Sequence, residues 1–242
     1  MVTMKYNITA ILFDLDNTLY DHNKAQNNIM LKVTKQYPEL FKNINDEAII
    51  GAFHKADLIA IDEFNSGISL NNVRLDRTKR FLNSLEINVD ISEEITCKYI
   101  QSYHTVIFPI DSAEKVIQSL SNKYKLGIVT NGSPEMQMFK LNALNILKYL
   151  GCKIFSEGLG VRKPDPEIFL AAIKVLNISP ANCMFVGDSY KDDVIGAKNV
   201  GMYTCWFNPN NILAPTEIYH DIEISKLDEL LNILAPEPLP MQ

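Results

Sequence analysis

Several things are scarce in this 242-residue chain, and each scarcity narrows the possibilities. Cysteine is rare: Cys97, Cys152, Cys183 and Cys205 lie far apart and form no C-x-x-C pair. They read as reduced, mostly buried small apolar side chains of an intracellular protein. No local cluster of Lys and Arg occurs, and a formal charge of -6 with a pI near 5.3 gives no basic footprint for nucleic acid. No apolar run approaches the ~20 residues that a spanning helix needs. The first apolar run is short, ends in two acids and has no small-residue cleavage site after it, so it does not read as a signal peptide. A cytoplasmic location is expected, with neither membrane nor nucleic acid as partner. Internal repeats and low-complexity blocks are missing too. What is present is ordinary: 47% apolar and 21% charged residues, in a chain long enough to bury a substantial core in one or two domains.

The stretch Ile8 to Tyr20, ITAILFDLDNTLY, organises the rest. Ile11, Leu12 and Phe13 have no alternating polar residues, which predicts a strand buried on both faces. Asp14 and Asp16 fall at its carboxyl end, where ligands sit in open parallel sheets. Two acids one residue apart face the same side and repel unless a cation or a difference in protonation relieves them. A plainer reading stays open, since Asp and Asn commonly end strands in turns.

After Tyr20 the pattern turns helical. Apolar residues at steps of three and four predict helices over Lys24 to Tyr37, Asp46 to Phe64, Asn72 to Leu85 and Ser92 to Thr105. Asp46, Asn72 and Ser92 are suitable N-caps. From Pro109 strands and helices alternate. Strands are predicted at Leu126 to Thr130, Cys152 to Phe155, Cys183 to Val186, Met202 to Trp206 and Asp221 to Ile224. Helices are predicted at Ser112 to Ser121, Pro134 to about Leu144, Pro166 to Leu176, Lys191 to Asn199 and Lys226 to Leu234. The tail APEPLPMQ reads as loose. Alternating strands and helices imply an α/β fold, a parallel sheet covered by helices. Its first strand is separated from the others by a helical block. The division expected is a core domain of residues 1–20 and 106–242, with an all-helical domain of residues 21–105 inserted as a cap over the sheet's carboxyl edge.

Three further stretches place polar groups at strand ends. In VTNG, Thr130, Asn131 and Gly132 offer a hydroxyl, an amide and a bare backbone N–H at a helix entry. This is a suitable phosphate cradle, although the same residues also suit an ordinary turn. In VRKPDP, Pro164 and Pro166 stiffen the loop that carries Lys163; alone, this lysine reads more simply as a surface residue. In VGDSYKDD, Asp188 occupies the same kind of strand end as Asp14. Asp192 and Asp193 follow at a helix start, where acids also suit the helix dipole.

DLDNT, VTNG, KPDP and GDSYKDD, in this order and at these strand ends, resemble the haloacid dehalogenase-like (HAD) hydrolase superfamily. The helical insertion between the first and second motifs resembles its C1-capped phosphatase type. The resemblance implies a Rossmann-like parallel sheet core and Mg2+-dependent hydrolysis of small phosphate monoesters, nucleotide or sugar phosphates, through an aspartyl-phosphate. It makes Asp14 the nucleophile and Asp16 the general acid and base. Thr130, Lys163, the backbone N–H groups after Asp14, and Asn131 or Gly132 would hold the phosphoryl oxygens. Asp14, the backbone carbonyl of Asp16, and Asp188 would bind Mg2+, with Asp193 supporting the metal's waters and Asp192 the weaker candidate for that place. Thr18 would orient the turn. An acid at Asp16 favours phosphoryl transfer over dehalogenation, and no cap lysine stands out as a Schiff-base former.

The expected partner is a small phosphorylated metabolite, and the cap carries no motif that names it. Tyr20, His22 and His54 read as packing or solvated surface, while Arg74 and Arg77, at i and i+3, would read an anion or pair with acids such as Asp76. A phosphomutase of the same fold and a non-catalytic interaction module are the alternatives. The latter would be signalled by a missing nucleophile or lysine, and neither is missing.

Overall fold

The computed structural model describes residues 7–234, so the tail APEPLPMQ lies outside the described residues. The chain divides into two compact units, one made of residues up to Asp21 together with those from Ile107 onward, the other running from His22 to Val106.

The first unit is built on six parallel strands: β1 (Ala10–Phe13), β2 (Lys125–Thr130), β3 (Leu150–Phe155), β4 (Cys183–Gly187), β5 (Tyr203–Phe207) and β6 (Ile222–Ile224), in the order β3-β2-β1-β4-β5-β6. This is the α/β fold that the sequence predicts. All four residues of β1 are buried; the strand is central, with its edges paired to β2 and β4 and its side chains packed on the faces of the sheet. Ala10 and Leu12 join a core cluster with Val129, Ile168, Phe169 and Phe185. β3 lies at the sheet edge and alternates buried with exposed residues before its end. Connections from β1 run out to β2 and β3, and the chain then crosses back to β4 beside β1. The strand order thus reverses at β1, and the crevice beyond the carboxyl ends of β1, β2 and β4 is where such a sheet binds ligands. The chain leaves this unit beside the point where it returns: Asp21 N–H donates to the Phe108 carbonyl at 2.8 Å, and Ile110 N–H to Leu19 at 3.0 Å.

The second unit contains the helices His22–Thr34, Asp46–Asn65, Leu70–Ser84 and Ser92–Tyr103, with a short turn of helix at Pro38–Phe41. Its N-caps differ from those predicted. Asn45, not Asp46, accepts from Ala48 N at 2.8 Å, and Ser69, not Asn72, accepts from Asn72 N at 3.4 Å. The caps lie earlier than the apolar period suggested, because polar first turns carry no periodic signal. Ser92 is preceded by a 3-10 turn, Val89–Ile91, which begins the helix in its place.

Arg77 is placed differently from the substrate-reading role considered above. It is buried, pairs with Asp57 at 2.7 Å, and lies 4.7 Å from the Phe53 ring centre and 4.6 Å from that of Tyr99. Gln26 donates to the second Asp57 oxygen at 3.2 Å. Asp76 pairs with Lys79. His22 bonds the Tyr103 hydroxyl at 2.9 Å, and His54 is exposed. Of the cysteines, Cys97 is exposed and the other three are buried. Among the described residues no helix is long and apolar enough to cross a membrane.

Removing one partner of a buried ion pair leaves the other charge uncompensated. Arg77→Ala is therefore expected to destabilise the helical unit by about 3–5 kcal/mol, measured by urea unfolding, whereas Lys79→Ala at its exposed pair costs no more than about 1 kcal/mol.

Candidate active site

The turn after β1 positions the first two acids. Asp14 N–H continues the sheet ladder by donating to the Val186 carbonyl at 2.9 Å. Leu15 then closes a single helical turn, its carbonyl accepting from Leu19 and Tyr20, while Asn17 takes a left-handed conformation at φ 58°. Asparagine tolerates that conformation better than most residues. Thr18 faces across to β4: its hydroxyl donates to Asp188 Oδ1 at 3.1 Å and accepts from Asp188 N–H at 3.1 Å. The orienting role expected of Thr18 thus has a geometry, a clip between two strand ends.

Lys163 is not a surface residue; it is 3% exposed. Its ammonium lies 2.6 Å from Asp14 Oδ1 and 2.6 Å from Asp193 Oδ1. Asn131 directs it there. The Asn131 amide donates to the Lys163 carbonyl at 3.0 Å and accepts from Lys163 N–H at 2.8 Å, imitating a strand partner. Asn131 or Gly132 is expected at the phosphoryl oxygens; here both polar atoms of the Asn131 side chain engage the loop that carries the lysine. Thr130 is buried at the end of β2.

The predicted helix from Lys191 begins instead as a π-helical turn, Tyr190–Ile195, followed by Gly196–Asn199. Its wider turn brings Asp193 back beneath the end of β4, where Asp193 Oδ2 accepts from Ser189 N–H at 3.0 Å. Such turns recur at functional sites. Gly187 makes room for it, since a Cβ there would stand 2.3 Å from Asp193 Oδ2. Asp193 is fully buried with both oxygens engaged, whereas Asp192 is more open.

Asp14, Asp188 and Asp193 each present an oxygen within 4.8 Å of the others. Two buried carboxylates share the Lys163 ammonium and the half-buried Asp188 stands beside them, which leaves an excess of negative charge out of water. Hard oxygen donors in this state fit a hard divalent cation.

A family model described as haloacid dehalogenase-like hydrolase matches residues 8–201. The chain belongs to that family. Glyceraldehyde 3-phosphate phosphatase of Pyrococcus furiosus is 31% identical to this hydrolase over 240 residues, covering 95% of this chain and 94% of that protein. Human N-acylneuraminate-9-phosphatase is 26% identical over 239 residues, covering 93% and 94%. The crystal structure of the HAD-hydrolase YfnB of Bacillus subtilis, bound to magnesium, superposes with a TM-score of 0.77 at 26% identity, covering 94% of this chain and 98% of that one.

Two residues of this hydrolase escaped the sequence reading. Lys140 and Gln137, both 2% exposed, come from the helix Pro134–Ala143. Lys140 Nζ lies 2.5 Å from Asp16 Oδ1, and Gln137 Nε2 lies 2.9 Å from Asp16 Oδ2 and 3.0 Å from Thr130 Oγ1. The signal was available. Gln137, Lys140, Leu141 and Leu144 fall at i, i+3, i+4 and i+7, so a lysine and a glutamine occupy the helix's core-facing stripe.

Burial pushes the Asp14 carboxyl up to about 7; the Asp193 and Asp16 charges add to this, and Lys163 opposes it. Burial, then Asp14 and Asp193, raises Asp188 well above the ordinary carboxylate range. Burial disfavours the Lys163 charge, but Asp14 and Asp193 override it and hold the ammonium above its usual range. Unfolded, the Asp14 carboxyl releases its proton near 3.8; folded, it keeps it to about pH 7. The native state binds this extra proton across that window, so the contribution of Asp14 to stability is full below about pH 4 and is lost as pH rises through about 7. Thermal melts in EDTA between about pH 4 and about pH 7 are expected to show the Tm of the wild type falling relative to that of Asp14→Asn as pH rises.

Proposed function

We propose that this hydrolase is a Mg2+-dependent phosphatase of small phosphate monoesters. The observation that carries the reading is the Asp14 carboxylate, set at the end of a central strand, 2.6 Å from the Lys163 ammonium and clustered with Asp188. It combines a nucleophile, a cation for the phosphoryl oxygens and an acidic pair suited to a hard metal. The two phosphatases named above, similar over more than nine-tenths of the chain, support the reaction class. Their names carry two unlike substrates, a triose phosphate and a sugar acid phosphate, so the class proposed stays at phosphorylated metabolites, with nucleotide and sugar phosphates the groups to be tested.

In this mechanism Asp14 attacks phosphorus and the bond to the ester oxygen breaks. Asp16 gives a proton to that oxygen, releasing the alcohol. A water then attacks the phosphorus of the aspartyl-phosphate, Asp16 takes the water's proton, and the bond to Asp14 breaks to return the free carboxylate and inorganic phosphate. Thr130, Lys163 and the N–H groups of the turn after Asp14 hold the phosphoryl oxygens. Mg2+, held by Asp14, Asp188 and the Asp16 carbonyl with Asp193 in support, would neutralise charge on the phosphoryl group. The helical unit, His22 to Val106, is on this reading a C1-type cap.

Asp14→Asn is expected to abolish Mg2+-dependent hydrolysis of p-nitrophenyl phosphate while the circular dichroism spectrum stays that of the wild type. Full activity in that variant would remove Asp14 from its role. A screen of phosphorylated metabolites for free phosphate, with nucleotide and sugar monophosphates side by side, identifies the substrate.

A further inference from the structure

Asp16 differs from the other acids of the site in what surrounds it. Asp14 and Asp193 share Lys163, and Asp188 is clipped by Thr18. Asp16 is met by a different helix. Lys140 reaches Oδ1 and Gln137 reaches Oδ2, so both carboxylate oxygens are held by two side chains one helical turn apart. Of the three buried residues on the helix Pro134–Ala143, two are these polar ones, and the third is Leu141. The Lys140 ammonium is 2% exposed and lies 5.3 Å from the centre of the buried Tyr20 ring. The ring face attracts the ammonium, but taking that charge out of water stays costly unless a carboxylate answers it as well. Gln137 Nε2 is also within bonding distance of Thr130 Oγ1, which ties the Asp16 carboxylate to the end of β2. Gly132 permits this, because a Cβ there would stand 2.3 Å from Gln137 Nε2.

Resting on the phosphatase reading, we propose that Lys140 and Gln137 are positioning residues for Asp16 and thereby set how well this chain cleaves esters with poor leaving groups. An acid matters most when the departing oxygen is strongly basic. An alkyl phosphate needs a proton delivered as its P–O bond breaks, and p-nitrophenolate leaves without one. A misdirected Asp16 is therefore felt on the first substrate and largely spared on the second. A positioned acid is worth about 10²–10⁴-fold in rate, so partial loss of its direction is readily measured. A residue needed only for folding would lower both rates together.

The test compares kcat with Mg2+ on glycerol phosphate and on p-nitrophenyl phosphate for the wild type, Lys140→Met and Gln137→Met, each checked by a thermal melt. The alkyl-to-aryl kcat ratio is expected to fall about tenfold or more in Lys140→Met, and by a smaller factor in Gln137→Met, with KM for either ester changed less than about threefold. A fall of fivefold or more in Lys140→Met supports the proposal; a smaller one, or an effect confined to KM, overturns it. If Lys140→Met does not fold, Gln137→Met decides alone, a fall of threefold or more supporting and a smaller one overturning. A wild-type chain that releases phosphate from neither ester defeats the phosphatase reading itself, and the positioning role with it.

Discussion

A single ammonium, that of Lys163, is the constraint on which the site depends. Asp14 and Asp193 both lie 2.6 Å from it, all three groups are nearly or fully buried, and Asp188 adds a further carboxylate within reach. One positive charge cannot balance three acids in a place from which water is largely excluded. The arrangement is stable only if protons or a cation supply the difference, which is why burial raises the acids instead of leaving them ordinary surface carboxylates. The charge excess that suits these donors to a hard cation is also what makes their ionisation costly to the fold.

That ammonium is held by backbone as much as by charge. Asn131 pairs with the main chain of Lys163, so the ends of β2 and of the Lys163 loop behave as though they were strand neighbours. Thr18 joins the turn after β1 to the residue after β4 in the same manner. The π-helical turn carries Asp193 back to the lysine. Four distant segments therefore converge through short polar clips and not through one continuous element, and the glycines at 132 and 187 keep the approaches clear.

Much of this could be read before any coordinates. The uninterrupted apolar run of β1, the abrupt arrival of Asp14 and the alternation after Pro109 gave the sheet, its parallel sense and the helical insertion. Elements that failed to announce themselves did so for physical reasons. Lys163 alone looks like a solvated lysine, since nothing local reveals that two acids from other segments will surround it. Lys140 and Gln137 look like the polar side of a surface helix until the core-facing stripe is counted. Arg77 looks available to a ligand, but an acid twenty residues earlier and two aromatic rings enclose it. The N-caps were misplaced because capping is a single contact with no period to detect.

The bond between Asp21 and Phe108 has a further implication for how the chain is assembled. The sheet unit is interrupted at a place where its two cut ends already touch, so the closure entropy of the chain placed there grows only slowly with its length. Chain inserted at this point lies outside the pairing of β1 with β2 and β4, so a change in its length need not shift strand register. A lineage can thus retool one module while inheriting the other unchanged.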